Sequence, residues 1–472
     1  MLTRRQFLDV AVKTSAGFAA GQTASHCLAQ AAPTLNLELA KTAPVTIPAN
    51  FIGLGYEMSS VASRGLLSAE NEKYVRLVQG LASEGVLRVG GIVANYTRFE
   101  PQGLAIAEPT NTVITLATLE QFAKFLEKTN WTTIWSLNFS QGGLPAAIEE
   151  ARAVSRILGK KLLALEIGNE VDSYGRGQRQ MRELPYEYEN YRGEYRTWHK
   201  AIADAVPGVS FAAPDTASNV EWVERMALDA NGEVQLLTTH YYRNGQKRGS
   251  AEQLMLPDPR LPDVLKRLRA ASQESRIPWR MCETNSFSGG GRPGVSDTFL
   301  GALWTLDFML LLATNGCAGV NMETGVNQLG FVSSYSPIQD DGHGINSAGV
   351  PYYGMLAFSQ AFSSCREALP LQFDDRGANL TAYALGSNGK ARSVVIVSRE
   401  TAQDFRVKIK ELGMRSASVQ RLTAPAVDAT TGITFTGSTV DASGCWKPVT
   451  VETIHNGEVQ VPHMSAAVLR GV

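Results

Sequence analysis

The chain has 472 residues, of which 44% are hydrophobic and 19% are charged, a balance typical of globular proteins. The formal net charge is −1 and no long run of Lys or Arg occurs, so nucleic-acid binding through phosphate neutralisation is not expected. The length exceeds that of one ordinary compact domain and favours a large barrel with a smaller module.

The N-terminus has the features of an export signal. Arg4 and Arg5 precede a modestly apolar stretch rich in Ala and Gly, and Ala29-Gln30-Ala31 has the form of an A-x-A cleavage site. This order is typical of twin-arginine export, with an ordinary basic N-terminus as the alternative. We expect residues 1–31 to be a removed signal and the mature protein to be periplasmic or secreted.

Strand-like and helix-like segments alternate between about residues 50 and 325. The strand-like segments are Phe51–Met58, Val86–Gly91, Thr132–Ser140, Leu162–Glu170, Ser210–Ala217, Gln235–Tyr242, Pro278–Asn285 and Gly319–Gly325. The helix-like segments between them are Glu70–Leu81, Leu116–Thr129, Leu144–Leu158, Tyr186–Val206, Glu221–Ala230, Leu261–Glu274 and Asp297–Thr314. Parallel strands need such helical crossovers, so the pattern predicts a (β/α)8 TIM barrel. A doubly wound open sheet is the alternative, but no G-x-G-x-x-G follows the first strand.

After about residue 355 the pattern changes to short alternating segments separated by Gly, Asn and Asp turns. This period-two pattern predicts an antiparallel β-sandwich. Leu35–Leu39 and Val45–Ile47 alternate in the same way, and we expect them to add N-terminal strands to the sandwich. The predicted division is residues 32–48 for these strands, 49–358 for the catalytic barrel and 359–472 for the sandwich.

Cysteine and histidine spacing gives no support for a metal or redox centre. The cysteines after residue 31 form no C-x-x-C pair, and the six histidines lack metal-ligand spacing. We therefore expect no metal and no organic cofactor. No uninterrupted apolar stretch reaches about 18 residues, so no membrane span is predicted either.

The ends of two predicted strands carry glutamates. Active sites of (β/α)8 barrels lie at the C-terminal ends of the strands, where Glu170 ends the fourth and Glu283 lies near the end of the seventh. Glycosidic cleavage needs two carboxylates across a cleft, one to protonate the leaving oxygen and one to attack the anomeric carbon or activate water. We predict a glycoside hydrolase with this pair, retaining if about 5–5.5 Å separates them. Alternatively, either glutamate is simply paired with Arg88 or Arg280.

Neighbouring residues suit a sugar site. Asn169 precedes Glu170 and could bond the sugar 2-hydroxyl. His240-Tyr241-Tyr242 ends the sixth strand, where a tyrosine can bond and orient the nucleophilic carboxylate. Period-two geometry places His240 and Tyr242 on one face and Tyr241 on the other, with either face as the inner one. Aromatic packing under a loop is the alternative for these three residues.

The chain resembles glycoside hydrolase family 79, the bacterial β-glucuronidases and the heparanases. The ordered stretches that carry the resemblance are 51–57 (FIGLGYE), 86–91 (VLRVGG), 167–170 (IGNE), 214–217 (PDTA), 240–242 (HYY), 283–286 (ETNS), 294–299 (GVSDTF) and 352–355 (YYGM). The resemblance implies that Glu170 is the acid/base and Glu283 the nucleophile, that Tyr242 stands beside the nucleophile, and that Glu57 binds sugar hydroxyls.

The resemblance also implies a substrate. It favours a retaining, exo-acting β-glucuronidase that removes terminal β-linked glucuronic acid from oligosaccharides or polysaccharides. An endo-acting, heparanase-like enzyme and a catalytically silent carbohydrate-binding barrel are the alternatives. Family members bind the uronate carboxylate with backbone amides and tyrosines in the loops after strands seven and eight.

In this chain we expect the carboxylate site at Ser288, Gly289, Gly290, Arg292 and Tyr335. Glycines let successive backbone N–H groups point at one anion, and an arginine can grip a carboxylate in bidentate fashion. The chain departs from the bacterial enzymes it most resembles at two places. They have a tyrosine where this chain has Ser288, and a Gly-rich turn where it has Met322-Glu323-Thr324-Gly325.

Overall fold

The computed structural model describes residues 32–176, 180–230, 232–325, 333–341 and 344–472. Eight strands form a closed barrel, numbered one to eight in chain order below. They are Ile52–Glu57, Val86–Gly90, Thr132–Leu137, Leu162–Ile167, Phe211–Thr216, Leu236–Gly245, Trp279–Ser288 and Val320–Glu323. Neighbouring strands are parallel, and strand eight closes the barrel on strand one. The predicted (β/α)8 architecture is confirmed.

Amphipathic helices surround the barrel. The longer helices are Glu72–Leu81, Leu116–Thr129, Leu144–Leu158, Tyr188–Ala205, Val220–Asp229, Leu261–Ser275, Phe299–Thr314 and Val350–Phe362, and the shorter ones are Ser59–Ala62, Gly91–Ala94 and Ala251–Met255. Local chemistry sets their ends. The helix from Leu116 begins at a reciprocal capping pair of Thr115 and Thr118, and it ends at Asn130, which adopts the left-handed conformation.

Several boundaries differ from the sequence-based prediction. Strand four ends at Ile167, so Glu170 lies beyond the strand, in a left-handed conformation with φ of 52°. Strand seven continues to Ser288, which carries the chain from the nucleophile position into the following loop. A small sheet of Arg98–Phe99, Ile106–Glu108 and Asn111–Ile114 follows strand two and was not predicted, because strands of two to four residues show no measurable period.

The C-terminal strands form a sandwich, as predicted. Its strands are Glu367–Leu369, Leu371–Gln372, Leu380–Ser387, Lys390–Ser398, Phe405–Lys408, Ala417–Thr423, Thr434–Phe435, Glu452–Ile454, Glu458–Val461 and Ser465–Gly471. N-terminal strands join it: Thr34–Asn36 pairs with Phe405–Lys408, and Val45–Thr46 pairs with Glu367–Leu369. Side chains such as Leu35, Val407 and Ile396 fill the space between its sheets.

The other face of the large sheet packs on the barrel through two helices. Phe299–Thr314 is buried almost all round and Val350–Phe362 nearly so, since barrel strands lie on one side of them and the sheet on the other. Asp307 of the first helix forms an ion pair of 2.8 Å with Arg399 of the sheet. The second helix runs across the boundary predicted at residue 358.

Two other predictions concern the export signal and membrane spans. The predicted export signal, residues 1–31, lies outside the described residues. Among the helices that the structure describes, none has the length and apolar character needed to cross a membrane.

Candidate active site

Glu170 and Glu283 lie at the same end of the barrel. Glu170 sits in the turn after strand four, and its Oε1 is 3.3 Å from Nδ1 of His240. Glu283 sits within strand seven, and its Oε2 is 3.8 Å from the same nitrogen. One oxygen of each carboxylate and a ring nitrogen of His240 all lie within 4.8 Å of one another. The structure therefore brings together two carboxyl groups that are far apart in sequence.

The two glutamates face a cavity of about 410 Å³. Most of the predicted site residues line it, namely Glu57, Glu170, Tyr242, Glu283, Ser288, Gly289 and Tyr335. Tyr335, from the segment after strand eight, stacks on Tyr242 with 6.3 Å between ring centres. The cavity has the size of a small-ligand site and combines an aromatic wall with several carboxyl groups.

Glu283 is held by a donor on each oxygen. The hydroxyl of Tyr242 donates to Oε1 at 2.9 Å, and Nη1 of Arg88 donates to Oε2 at 2.9 Å. The pairing with Arg88, considered from sequence as a purely structural alternative, is thus present. Because Glu283 also lines the cavity, it remains accessible to a ligand while it is paired with Arg88. Arg280 instead donates to Asn321 and to backbone carbonyls.

Arg88 is the centre of a buried charge network beneath the cavity. Its side chain is fully buried and also donates to Glu166 at 3.0 Å, to Asp215 at 2.5 Å and to Asn169 at 2.8 Å. Buried charges are tolerated only when they are paired and hydrogen-bonded in this way. The network anchors strands two, four, five and seven to one another under the two glutamates.

His240 connects this network to Glu170. Its Nε2 lies 2.8 Å from Asp215. Burial would lower the pKa of His240, but the charges of Asp215 and Glu283 outweigh it and raise that pKa well above the usual range. Burial likewise opposes ionisation of Asp215, yet Arg88 and His240 hold its pKa well below the usual range. The raised pKa favours the protonated form of His240, in which both ring nitrogens donate, one to Asp215 and the other towards Glu170.

The structure resolves which face of strand six points inwards. His240 and Tyr242 point into the barrel, whereas Tyr241 faces outwards, donates to Asp258 at 2.7 Å and stacks on Phe308. The outward tyrosine is part of the packing between the barrel and its helices.

Two further glutamates line the cavity on strands one and eight. Burial, followed by the charge of Glu283, raises the pKa of Glu57 to about 8, although the Val93 amide donates to Glu57. Burial also raises the pKa of Glu323 well above its usual range, and Glu283 and Glu57 act in the same direction. These raised pKa values favour the protonated form of both carboxyl groups.

Asn169 immediately precedes Glu170 in the chain and is fully buried, outside the set of residues that line the cavity. Its Oδ1 accepts from Arg88, so the amide orientation is fixed. Its Nδ2 is buried without a partner among the described residues. A buried donor with no partner is costly, which makes this amide a natural donor to a bound sugar hydroxyl.

Two side-chain groups have ligand atoms close enough for a metal ion, and both include His240. One adds Asp215 and Cys282, and the other adds Glu170 and Glu283. A protonated imidazole has no lone pair for a metal. The raised pKa of His240 therefore fits the hydrogen-bond network better than a role as metal ligand.

Comparisons with known proteins agree with this geometry. Residues 379–468 match the profile described as the Glycosyl hydrolase family 79 C-terminal beta domain. A beta-glucuronidase of Aspergillus niger is 25% identical over 373 residues, which cover 67% of this chain and 68% of that protein. A beta-glucuronidase of Neurospora crassa is 43% identical over 75 residues, covering 16% of this chain and 13% of that protein.

The chain is a glycoside hydrolase, and its C-terminal domain matches that of family 79.

Solved structures show the same fold as this glycoside hydrolase. A 4-O-alpha-L-rhamnosyl-beta-D-glucuronidase from Fusarium oxysporum matches with a TM-score of 0.75 at 18% identity, over 93% of this chain and all of that chain. A GH51 arabinofuranosidase from Xanthomonas axonopodis pv. citri matches with a TM-score of 0.66 at 15% identity, over the same shares of the two chains. At these identities the likeness concerns the fold alone.

The glycine-rich loop after strand seven carries the remaining predicted residues, and only some of them reach the cavity. Ser288 and Gly289 line the cavity, but Gly290 lies behind them and its carbonyl accepts from the Ser334 amide at 2.8 Å. Arg292, predicted to grip the sugar carboxylate, does not reach the cavity: its side chain is exposed and donates to the Lys247 carbonyl. The bond from the Gly291 amide to Phe287 closes a tight turn that carries the chain outwards before Arg292.

Sequence reasoning missed part of the candidate active site. Arg88 appeared only as a structural partner, and Asp215, Glu166 and Glu323 had no predicted role. Asp215 lies near the end of strand five and Glu323 ends strand eight, so the rule that selected Glu283 would have selected them as well. Glu166 has no such signal, because its importance comes from contact with Arg88 across the barrel.

Proposed function

We propose that this glycoside hydrolase is a retaining, exo-acting β-glucuronidase, with Glu283 as the nucleophile and Glu170 as the acid/base. The observation that carries the proposal is the separation of less than 4.8 Å between carboxylate oxygens of the two residues. Retaining enzymes place their carboxyl groups about 5–5.5 Å apart, whereas inverting enzymes leave about 6.5–9.5 Å for a water molecule.

The two steps follow from this geometry. A carboxylate oxygen of Glu283 attacks the anomeric carbon while Glu170 gives its proton to the leaving oxygen, so the glycosidic bond breaks as a glycosyl–enzyme ester forms. Glu170 then removes a proton from water, the water oxygen attacks the same carbon, and Glu283 is released. Two inversions at one carbon return the original configuration.

The surrounding residues support these roles. Tyr242 and Arg88 each donate to one oxygen of Glu283, which stabilises its charge and fixes its direction. His240 lies beside Glu170, with its Nδ1 3.3 Å from Oε1, and fixes the position of that carboxyl group. The unpartnered amide of Asn169 would donate to the 2-hydroxyl, a contact that strengthens in the transition state.

The preference for a uronate is supported by the Aspergillus niger and Neurospora crassa relatives, both called beta-glucuronidase. Because the raised pKa values of Glu57 and Glu323 favour their neutral forms, these groups repel a sugar carboxylate less than ionised groups would. Ser288, Gly289 and Tyr335 line the cavity on the side of strands seven and eight and can donate hydrogen bonds to it. A cavity of about 410 Å³ suits a terminal sugar better than the interior of a long chain.

One assay tests substrate class, and one tests stereochemistry. An aryl β-glucuronide should be hydrolysed with a kcat/KM several orders of magnitude above that of the matching β-glucoside, because the lost carboxylate leaves buried donors unpaired. Equal rates would end the uronate proposal. Proton NMR of the first-formed sugar should show the β-anomer before mutarotation, and an initial α-anomer would assign inversion.

Oligosaccharides separate the remaining alternatives. Exo action on a glucuronic-acid-terminated oligosaccharide should release the single sugar from the first minutes, whereas internal fragments would assign endo action. Binding of the glycan without any turnover would assign a silent carbohydrate-binding barrel.

We also propose that the enzyme acts after twin-arginine export. The support is the order of Arg4-Arg5, apolar stretch and Ala29-Gln30-Ala31 in the sequence. In a bacterial host, replacing both arginines by lysine should retain the full-length protein inside the cell. Export that continues unchanged would contradict this signal.

A further inference from the structure

Glu323 lines the cavity, although neither step of the reaction above uses it. It is the last residue of strand eight and is 3% exposed. Its backbone is fixed by pairing with Gly55, and its carbonyl accepts from the Asn285 amide at 3.0 Å. The carboxyl group is therefore held in one place at the cavity wall.

The Glu323 carboxyl group occupies space that strand one leaves open. A Cβ atom at Gly55 would collide with Oε2 of Glu323, so the glycine makes room for the group. That oxygen nevertheless has no hydrogen-bond partner among the described residues. Burying a carboxyl oxygen without a partner costs free energy, which favours a ligand as the partner of this group.

Its neighbours determine what kind of ligand group fits. Glu57 and Glu283 are close enough to raise the pKa of Glu323 further after burial, and the nearby Arg88 and His240 do not reverse this. The protonated group has an O–H donor and a carbonyl acceptor. Its best partner is a hydroxyl, which can also donate and accept. A sugar carboxylate would instead bring a second negative charge close to the Glu283 carboxylate.

The two catalytic residues orient the sugar ring over these carboxyl groups. The anomeric carbon must meet Glu283, and the leaving oxygen must meet Glu170. If Asn169 donates to the 2-hydroxyl, carbons 3, 4 and 5 lie on the side away from Glu170, over strands one and eight. Glu57 and Glu323 end those strands. The sugar carboxylate on carbon 5 then turns towards Ser288, Gly289 and Tyr335, which leaves the 4-hydroxyl for Glu323.

We propose that Glu323 binds the 4-hydroxyl of the terminal sugar and selects substrates in which that hydroxyl is free. The proposal rests on the proposed function in one respect, namely that the ring bound at Glu283 is a β-glucuronosyl group. It makes Glu323 a specificity residue of this chain, at a position where the bacterial enzymes that the sequence resembles carry a Gly-rich turn.

A substrate cycle tests the contact directly. kcat/KM is measured for an aryl β-glucuronide and its 4-deoxy analogue on the native enzyme, Glu323→Ala and Glu323→Gln. The native enzyme should prefer the 4-hydroxyl substrate by about 10- to 100-fold, the worth of a hydrogen bond to a well-fixed polar group. Glu323→Ala should reduce this preference to less than about threefold, and Glu323→Gln, which keeps a donor and an acceptor, should retain most of it.

The cycle remains informative if a variant folds poorly. Both substrates are measured on the same preparation, so the fraction of active enzyme cancels in the ratio of their kcat/KM values. Equal losses on the two substrates in Glu323→Ala would overturn the proposal in favour of a purely structural role. Suppose instead that Glu323→Ala keeps the native preference for the 4-hydroxyl substrate over the 4-deoxy substrate but changes the ratio of kcat/KM for glucuronide to that for glucoside. This result would overturn the proposal in favour of a contact with the sugar carboxylate.

A second readout uses size. The native enzyme should hydrolyse a 4-O-methyl glucuronide poorly, and Glu323→Ala should accept it better by about 10-fold or more, because the side chain no longer fills that space. No gain would count against the proposal. If the native enzyme shows no preference for glucuronide over glucoside, the proposed function fails, and the same cycle run with 4-deoxy glucoside still tests Glu323 separately.

Discussion

The hydroxyl of Tyr242 donates a hydrogen bond of 2.9 Å to Oε1 of Glu283 on the neighbouring barrel strand. Tyr242→Phe removes only this donor and should lower kcat by about 10- to 100-fold, the worth of a hydrogen bond to a charged group, with a smaller change in KM. Tyr241→Phe is the matched control, because that tyrosine faces Asp258 outside the cavity. The control should lose stability but keep kcat. Similar kcat losses in both variants would contradict a role of Tyr242 at the nucleophile.

The roles of Glu170 and Glu283 should separate by leaving group. Glu283→Ala should abolish turnover of every substrate, because no ester can form. Glu170→Ala should affect substrates with poor leaving groups most, since a good leaving group needs little protonation. kcat/KM for a series of aryl glycosides of differing phenol acidity measures this. A Glu283→Ala enzyme with near-native activity would refute the mechanism, and equal losses across the series would refute the role of Glu170.

Glu57 should reduce stability at neutral pH. Its folded-state pKa of about 8 lies above the ordinary value of 4.5, so the stability this carboxyl contributes is fully present below pH 4.5 and is lost as pH rises through 8. Glu57→Gln should therefore raise the free energy of unfolding at pH 7 by roughly 1–3 kcal/mol, and the gain should disappear below pH 4. Denaturant unfolding at the two pH values measures the change.

Glu150 provides the control for this experiment. It is also buried, its pKa is raised to about 7 by burial, and it accepts from Trp135 rather than facing the catalytic cavity. Glu150→Gln should be stabilising or neutral at pH 7 with full activity, whereas Glu57→Gln should lose activity. If Glu57→Gln raised the free energy of unfolding less at pH 7 than at pH 4, the upward shift of the Glu57 pKa would be contradicted.

Arg292, in the loop after strand seven, should not contribute to the choice between glucuronide and glucoside. Because Arg292 is exposed and bonded to the Lys247 carbonyl, Arg292→Ala should leave the ratio of glucuronide to glucoside kcat/KM within about threefold of native. Tyr335 is buried at the cavity wall, and Tyr335→Phe should narrow the ratio by about 10-fold or more. The opposite ranking of the two variants would show that the loop moves Arg292 into the site.

The barrel and the sandwich should unfold as one unit. Arg399→Ala leaves Asp307 buried without its ion partner and should lower the free energy of unfolding by about 3–5 kcal/mol. Arg406→Ala is the control, since its ion pair with Glu458 is 3.5 Å long and half of its side chain is exposed. It should cost less than about 0.5 kcal/mol. Two separate unfolding transitions in Arg399→Ala, or equal costs in both variants, would contradict this coupling.

Much of the fold was predictable because its signals are local. Each barrel unit carries its own hydrophobic period, and the sandwich strands alternate over only a few residues, so both could be identified without knowledge of their neighbours. The prediction was least accurate where the signal was shortest. The strand Arg98–Phe99, which was not predicted, has only two residues, and its pairing depends on a partner elsewhere in the chain.

Sequence alone determined the barrel, the sandwich and the placement of Glu170 and Glu283 at the C-terminal end of the barrel, because barrel topology brings all strand ends to one rim. Tertiary structure alone decided which residues at that rim meet. Arg88 reaches Glu283 across 195 residues of sequence, and Arg292 turns away although it lies only nine residues after Glu283. Contacts of this kind depend on distances and directions in the folded chain, and so does the burial that raises the pKa values of Glu57 and Glu323.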